Sequence, residues 1–158
     1  MVDSSAMQVR IDQVLSFDRL GELRLTPQRR AVLAAVLESE EHLTAALIYD
    51  RVRRQLPKIG YGTVYAALHY LVQEGLITEV RRSDGVIAFD RRLEHHDHVT
   101  CRRCGRLTDI EACAVPSSYD AIVAKTGYLI EGHTVEFLGL CPSCQAELEA
   151  SKVEHQVE

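Results

Sequence analysis

The chain has 158 residues, 46% hydrophobic and 26% charged, with a net charge of -5, which fits a soluble globular protein of one ordinary domain or two small ones. No apolar run reaches the ~18–20 residues that span a bilayer, and the opening MVDSSAMQVR lacks the apolar core of a secretory leader, so a cytoplasmic protein with no membrane partner is expected. Five cysteines in that compartment point to metal ligands or free thiols, not disulfides.

In chain order, residues 11–20 carry Ile11, Val14, Leu15 and Phe17 at near-helical spacing and predict a short helix ending near Gly21. Thr26-Pro27 is an N-cap followed by a proline where its missing N–H costs nothing, and the helix it opens runs to about Glu38 with Ala31, Val32, Ala35 and Val36 on one face. A further helix starts at Thr44, carries Leu47, Ile48 and Val52, and stops at Pro57. The next, from about Gly62 to Glu74, places Val64, Leu68, Leu71 and Val72 on one stripe and is closed by Gly75. The period then changes to two: residues 76–82 and 86–90 read as strands joined by the turn Ser83-Asp84-Gly85. Helices followed by a two-stranded hairpin is the order of a winged helix, in which the helix before the hairpin enters the major groove. Its outward face would carry Thr63, Tyr65, His69 and Tyr70.

Residues 91–97 are charged and His-rich and read as a hinge. Beyond it come a strand at 97–101, a CRRC turn, a strand near 106–111, a helix at 116–126 closed by Gly127, a strand at about 128–140, a CPSC turn and a short final helix. The expected organisation is α+β: an N-terminal winged helix-turn-helix DNA-binding domain (1–90), the hinge (91–97) and a C-terminal α/β metal-binding domain (98–158). Charge divides the same way. Residues 1–92 hold 13 basic and 12 acidic side chains, whereas residues 93–158 hold 5 and 11, and every cysteine.

Cys101-x-x-Cys104 and Cys141-x-x-Cys144 are separated by 36 residues, and two such knuckles at strand ends can present four thiolates to one tetrahedral Zn²⁺. Four thiolates leave no open position, so this zinc is structural, and it supports a half too small for a thick core. Cys113 falls outside the pattern and reads as a small buried hydrophobe. Just before the first knuckle stands His95-His96-Asp97-His98. Strand alternation turns His96 and His98 one way and His95 and Asp97 the other. With Asp90 and Asp109 nearby in the sequence, two imidazoles and two carboxylates would suit Fe²⁺, Mn²⁺ or Zn²⁺. A site drawing on both halves would let metal select the arrangement in which two recognition helices of a dimer meet the duplex.

From Leu25 to Cys144 the chain resembles the ferric uptake regulator family of bacterial repressors. The resemblance rests on Thr26-Pro27-Gln28-Arg29, His42-Leu43-Thr44-Ala45, Gly62-Thr63-Val64-Tyr65, His96-Asp97-His98, Cys101-x-x-Cys104-Gly105 and Cys141-x-x-Cys144. It implies a homodimer on a palindromic DNA operator, a C-terminal dimerisation domain with the four-cysteine zinc, and a regulatory Fe²⁺ or Mn²⁺ held by His42, Asp90, His96, His98 and Asp109. His42 comes from the resemblance alone. So does a second metal site of His95, Asp97 and His133, where the family's usual glutamate position holds Pro116 and Glu111 stands as its substitute. The family usually follows Thr-Val-Tyr with a polar or basic residue; here Ala66-Ala67 shifts the expected DNA contacts to Arg29, Lys58, Thr63, Tyr65, His69, Arg81 and Arg82. Aspartate at positions 90 and 109 resembles the peroxide-sensing branch, in which iron-catalysed oxidation of a ligand histidine, here His42 or His96, releases the repressor from DNA. An iron- or manganese-responsive uptake regulator is the alternative within the family.

Two readings outside the family remain at this stage. One is a zinc-ribbon adaptor for protein partners, favoured by the acidic total charge. The other is an enzyme, through CxxC redox chemistry or metal-assisted hydrolysis. No Ser/His/Asp order, phosphate loop or HExxH supports an enzyme, so none is expected.

Overall fold

In the computed structural model, which describes residues 25–111 and 119–154, the chain divides into two units, one ending at Glu94 and one beginning at His95. The helix expected at 11–20, Cys113, Pro116 and the last four residues lie outside the described residues.

The first unit opens with α1 (Pro27–Leu37). Thr26 caps it: its hydroxyl accepts from the Arg29 N–H at 3.3 Å. The helix buries Val32, Leu33, Ala35, Val36 and Leu37. A two-residue strand, β1 (Leu43–Thr44), precedes α2 (Ala45–Gln55), whose N-cap is Thr44, accepting from the Leu47 N–H at 3.4 Å. Ala45, Ile48 and Val52 face the core, but Leu47, expected beside them, is 50% exposed because it sits more than a third of a turn from the centre of that stripe. α3 (Tyr61–Gln73) buries Val64, Ala67, Leu68 and Leu71. It ends in a Schellman closure: the Leu76 N–H reaches the Leu71 carbonyl at 2.9 Å and the Gly75 N–H reaches Val72 at 3.0 Å. Gly75 has φ +65°, a left-handed conformation that a side chain would strain.

The hairpin is β2 (Thr78–Arg81) and β3 (Ile87–Asp90), turned through Asp84, whose carboxylate accepts from the Val86 N–H at 3.0 Å. β3 pairs antiparallel with both β2 and β1, giving a three-stranded sheet in the order β1-β3-β2. Seventeen side chains, led by Leu33, Leu43, Ile48, Leu68, Leu71 and Ile77, form one apolar core beneath it.

The second unit holds β4 (Asp97–Cys101), β5 (Leu107–Ile110), α4 (Asp120–Thr126), β6 (Glu136–Gly139) and α5 (Pro142–Glu154). Its sheet runs β5-β4-β6, with β4 antiparallel to β5 and parallel to β6. Two expectations are corrected here. The strand expected over 128–140 forms only at Glu136–Gly139, because only there does β4 offer a ladder partner; Tyr128 and Leu129 before it are exposed. The last helix is thirteen residues long and contains Cys144, so the second knuckle is a helix start and not a free turn.

Candidate metal centres and nucleic-acid surface

The four paired cysteines come together. Cys101 ends β4, the loop back to β5 brings Cys104, and the step from β6 into α5 brings Cys141 and Cys144. Gly105, at φ +75°, allows the sharp turn after Cys104, and its N–H returns to the Cys101 carbonyl at 2.9 Å. Arg103 ties the two knuckles, donating to the Cys144 carbonyl at 3.1 Å and pairing with Glu147 at 3.1 Å. The four sulfurs lie within 4.8 Å of one another, and Cys104 Sγ and Cys141 Sγ are 3.7 Å apart. Zn–S bonds of about 2.3 Å in a tetrahedron require sulfurs roughly 3.8 Å apart, so the cluster fits a structural zinc. The backbone prepares it unevenly. The Cys104 N–H, joined by that of Cys141 at 3.3 Å, lowers the Cys101 thiol to about 5, whereas burial, reinforced by the neighbouring sulfurs, pushes Cys144 up to about 12. The Cys144 N–H lowers Cys141 as well. Bound there, Zn²⁺ would supply the positive charge that keeps all four deprotonated.

In the first unit, β1 and β3 pair Leu43 with Phe89, and the step before that pair sets His42 beside Asp90. His42 Nε2 stands 3.2 Å from Asp90 Oδ2, while Asp90 Oδ1 accepts from the Arg92 N–H at 2.8 Å and so fixes the carboxylate. In the second unit, β4 and β5 pair His98 with Asp109, and Asp109 Oδ1 lies 3.7 Å from His98 Nε2 and 3.4 Å from His96 Nε2. The two imidazoles lie against each other tilted by 54°, with their centroids 4.5 Å apart. Each unit therefore presents nitrogen and carboxylate donors facing each other.

The other parity of the same strand makes a separate group. His95, Asp97 and His133 have one ligand atom each within 4.8 Å of one another, and Asp97 is buried. Glu111, the expected fourth member, is not in this group: it sits on an exposed bend just after β5. β5 and its pairing with β4 end at Ile110, so no ladder carries Glu111 to the group. Tyr119, which the sequence did not single out, contacts His133 Nδ1 at 2.5 Å.

On α3, Thr63, Tyr65, Ala66 and His69 are exposed. Tyr70 is half-buried beneath Arg29, whose guanidinium lies 3.5 Å from the ring centroid, so it does not belong to the outward face. Ala67 is part of the core, so only Ala66 departs from a polar helix face. A depression of about 430 Å³ beside the start of α3 is lined by Gln28, Gln55, Lys58, Gly60 and Thr63. On the wing, Arg81 is exposed and pairs with Glu79 at 2.8 Å, while Arg82, only 12% exposed, is held by Asp84 across the turn.

A three-helix unit with an antiparallel wing, joined in one chain to a sheet knit by four thiolates and flanked by His/Asp donors, defines a winged-helix, metal-dependent regulator. The chain belongs to the Ferric uptake regulator family, whose sequence model matches residues 21–138, and is a metal-responsive transcriptional repressor. It is 32% identical over 146 residues to the ferric uptake regulation protein of Bacillus subtilis (strain 168), covering 89% of this chain and 98% of that one. It is 26% identical over 144 residues to the peroxide-responsive repressor PerR of Staphylococcus aureus (strain Mu50), covering 91% and 97%. A solved zinc uptake regulator complexed with zinc and DNA shares the fold at a TM-score of 0.69 and 27% identity, over 91% of this chain and 97% of that one. No helix among the described residues is long and apolar enough to cross a membrane.

Proposed function

We propose that this repressor is regulated by Fe²⁺ or Mn²⁺ with His42, Asp90, His96, His98 and Asp109 as its ligands, and that it answers to peroxide. The observation that carries the reading is aspartate facing histidine in each half, with no thiolate in either set. Such N,O donors suit iron and manganese better than a soft-metal site. Aspartate at both carboxylate positions is the feature of the family resemblance that points to peroxide. Bound Fe²⁺ would supply the redox chemistry by which peroxide adds oxygen to a ligand imidazole, His42 or His96. Binding of the ion would favour the DNA-binding state, and losing it would release DNA. The 32% identity to a ferric uptake regulation protein favours a second reading, an iron- or manganese-responsive uptake regulator with the same ligands.

DNA contact is assigned to Thr63, Tyr65 and His69 on α3, to Lys58 and the side-chain-uncapped N-terminus of α3 for phosphate, and to Arg29, Arg81 and Arg82 at the flanks. A homodimer on a palindromic operator follows from the same reading. The edge strand β6 leaves Phe137 and Leu138 exposed, a surface suited to a second copy. His95, Asp97 and His133 would hold a second ion, and the site of action is the cytoplasm.

The test is operator binding with Mn²⁺ and with Fe²⁺, each before and after dilute peroxide, followed by mass spectrometry of the His42 and His96 peptides. Peroxide should abolish binding only in the iron sample, with one oxygen gained on a ligand histidine. Binding that survives with both histidines unmodified would leave the uptake reading.

A further inference from the structure

The geometry points to Tyr119 as the positioning residue of the His95–Asp97–His133 group, setting which nitrogen of His133 faces the ion; this rests on the reading of that group as a metal site. Of the two histidines, His95 is already oriented. Its Nε2 lies 2.8 Å from the His133 carbonyl, which can only accept, so a neutral His95 carries its lone pair on Nδ1. His133 sits on the irregular segment between α4 and β6. Its Nδ1 meets Tyr119, whose hydroxyl is 2.5 Å away with the rings 70° apart. Tyr119 is itself anchored, since its carbonyl accepts from the Ile122 and Val123 N–H groups at 2.9 Å at the start of α4.

This contact leaves His133 Nε2 directed at the group, 3.8 Å from Asp97 Oδ1. A phenol can both donate and accept. With the proton on Nε2, Tyr119 donates to Nδ1. With the Nε2 lone pair committed to a cation, Nδ1–H donates to the Tyr119 oxygen. The hydroxyl therefore supports both tautomers without moving the ring, the outer-shell role that carboxylates and carbonyls play behind many ligand histidines. It also gives the group an ordered fourth member where Glu111 does not contribute.

The experiment uses the full chain with its four-cysteine zinc in place, Zn²⁺ as the added probe, and ¹⁵N NMR of the histidine side chains, with His133→Ala assigning the resonance. In the wild type, zinc should place the proton of His133 on Nδ1. Tyr119→Phe should raise the zinc midpoint read at His133 by about ten- to a hundredfold and leave its tautomers mixed. Tyr119→Gln, whose amide can also accept or donate, should recover most of both. A wild-type midpoint and tautomer in Tyr119→Phe, or a loss that Tyr119→Gln does not recover, overturns the assignment to Tyr119. An Asp97→Ala protein whose His133 signal still responds to zinc as in the wild type would show that the group itself is not a metal site.

Discussion

Removing zinc from the four cysteines should unfold the second unit and leave the first standing. The magnitude follows from what each unit buries. The first packs seventeen apolar side chains into one core. Among the described residues of the second, the buried apolar set is Leu107 with Cys101 and Cys144, and two of those three are the cysteines that would hold zinc. One buried leucine contributes about 1.5–3 kcal/mol, whereas a structural zinc of this kind contributes about 10–16 kcal/mol of apparent binding free energy at neutral pH. Chelation therefore removes a term several times larger than the apolar burial it leaves behind. Hydrogen exchange read by mass spectrometry on the full chain separates the outcomes. Peptides over β4, β5 and β6 should lose protection once zinc is gone, while those over α1 and α3 keep theirs. Cys104→Ser should give the same pattern without a chelator. Protection over β4–β6 that persists with zinc verified absent would refute the reasoning, because packing alone would then suffice.

His98→Ala should abolish the metal-stimulated part of operator binding while the exchange pattern of the second unit stays that of the zinc-loaded fold; a mutant that behaves like Cys104→Ser would erase the division between regulatory and structural centres. Leu68→Ala, at a position with no exposure, should destabilise the first unit by about 2–5 kcal/mol in denaturant melts followed by α-helical signal. Zinc uptake by metal-free protein should release close to four protons at pH 7, measured by calorimetry in buffers of different ionisation enthalpy. With the second unit unfolded before zinc arrives, its thiols stand near the free value of about 8.5, so nearly all must give up a proton and affinity rises with pH. A release well short of four would show that the hydrogen bonds that lower Cys101 and Cys141 outlast the metal.

Much of the fold was legible because its signals are local. Thr26-Pro27, Thr44 and Gly75 announce helix ends through their own hydrogen bonds and dihedrals, and the turn at Asp84 does so for the wing. The cysteine pairs were legible because their sulfurs are brought together by turns of fixed length. β1 was not, since two residues carry no period; its pairing with β3 is what seats His42 beside Asp90, so no spacing argument could have found His42. The length of β6 depends on where β4 runs beside it, a tertiary matter that the apolar residues of 128–140 do not encode. Tyr119 was hidden for a similar reason: fourteen positions of loop and helix separate it from His133.

Strand β4 and the residue pair before it serve three clusters at once: Cys101 at its end, His96 and His98 on one side, His95 and Asp97 on the other. One ribbon of backbone thus acts as a shared rail. Deleting a single residue between His98 and Cys101 would keep every donor in the chain, yet the side chains upstream would trade sides relative to the knuckle. Such a deletion should therefore be far more damaging here than any point substitution on the rail, and length, more than composition, is what this stretch must keep.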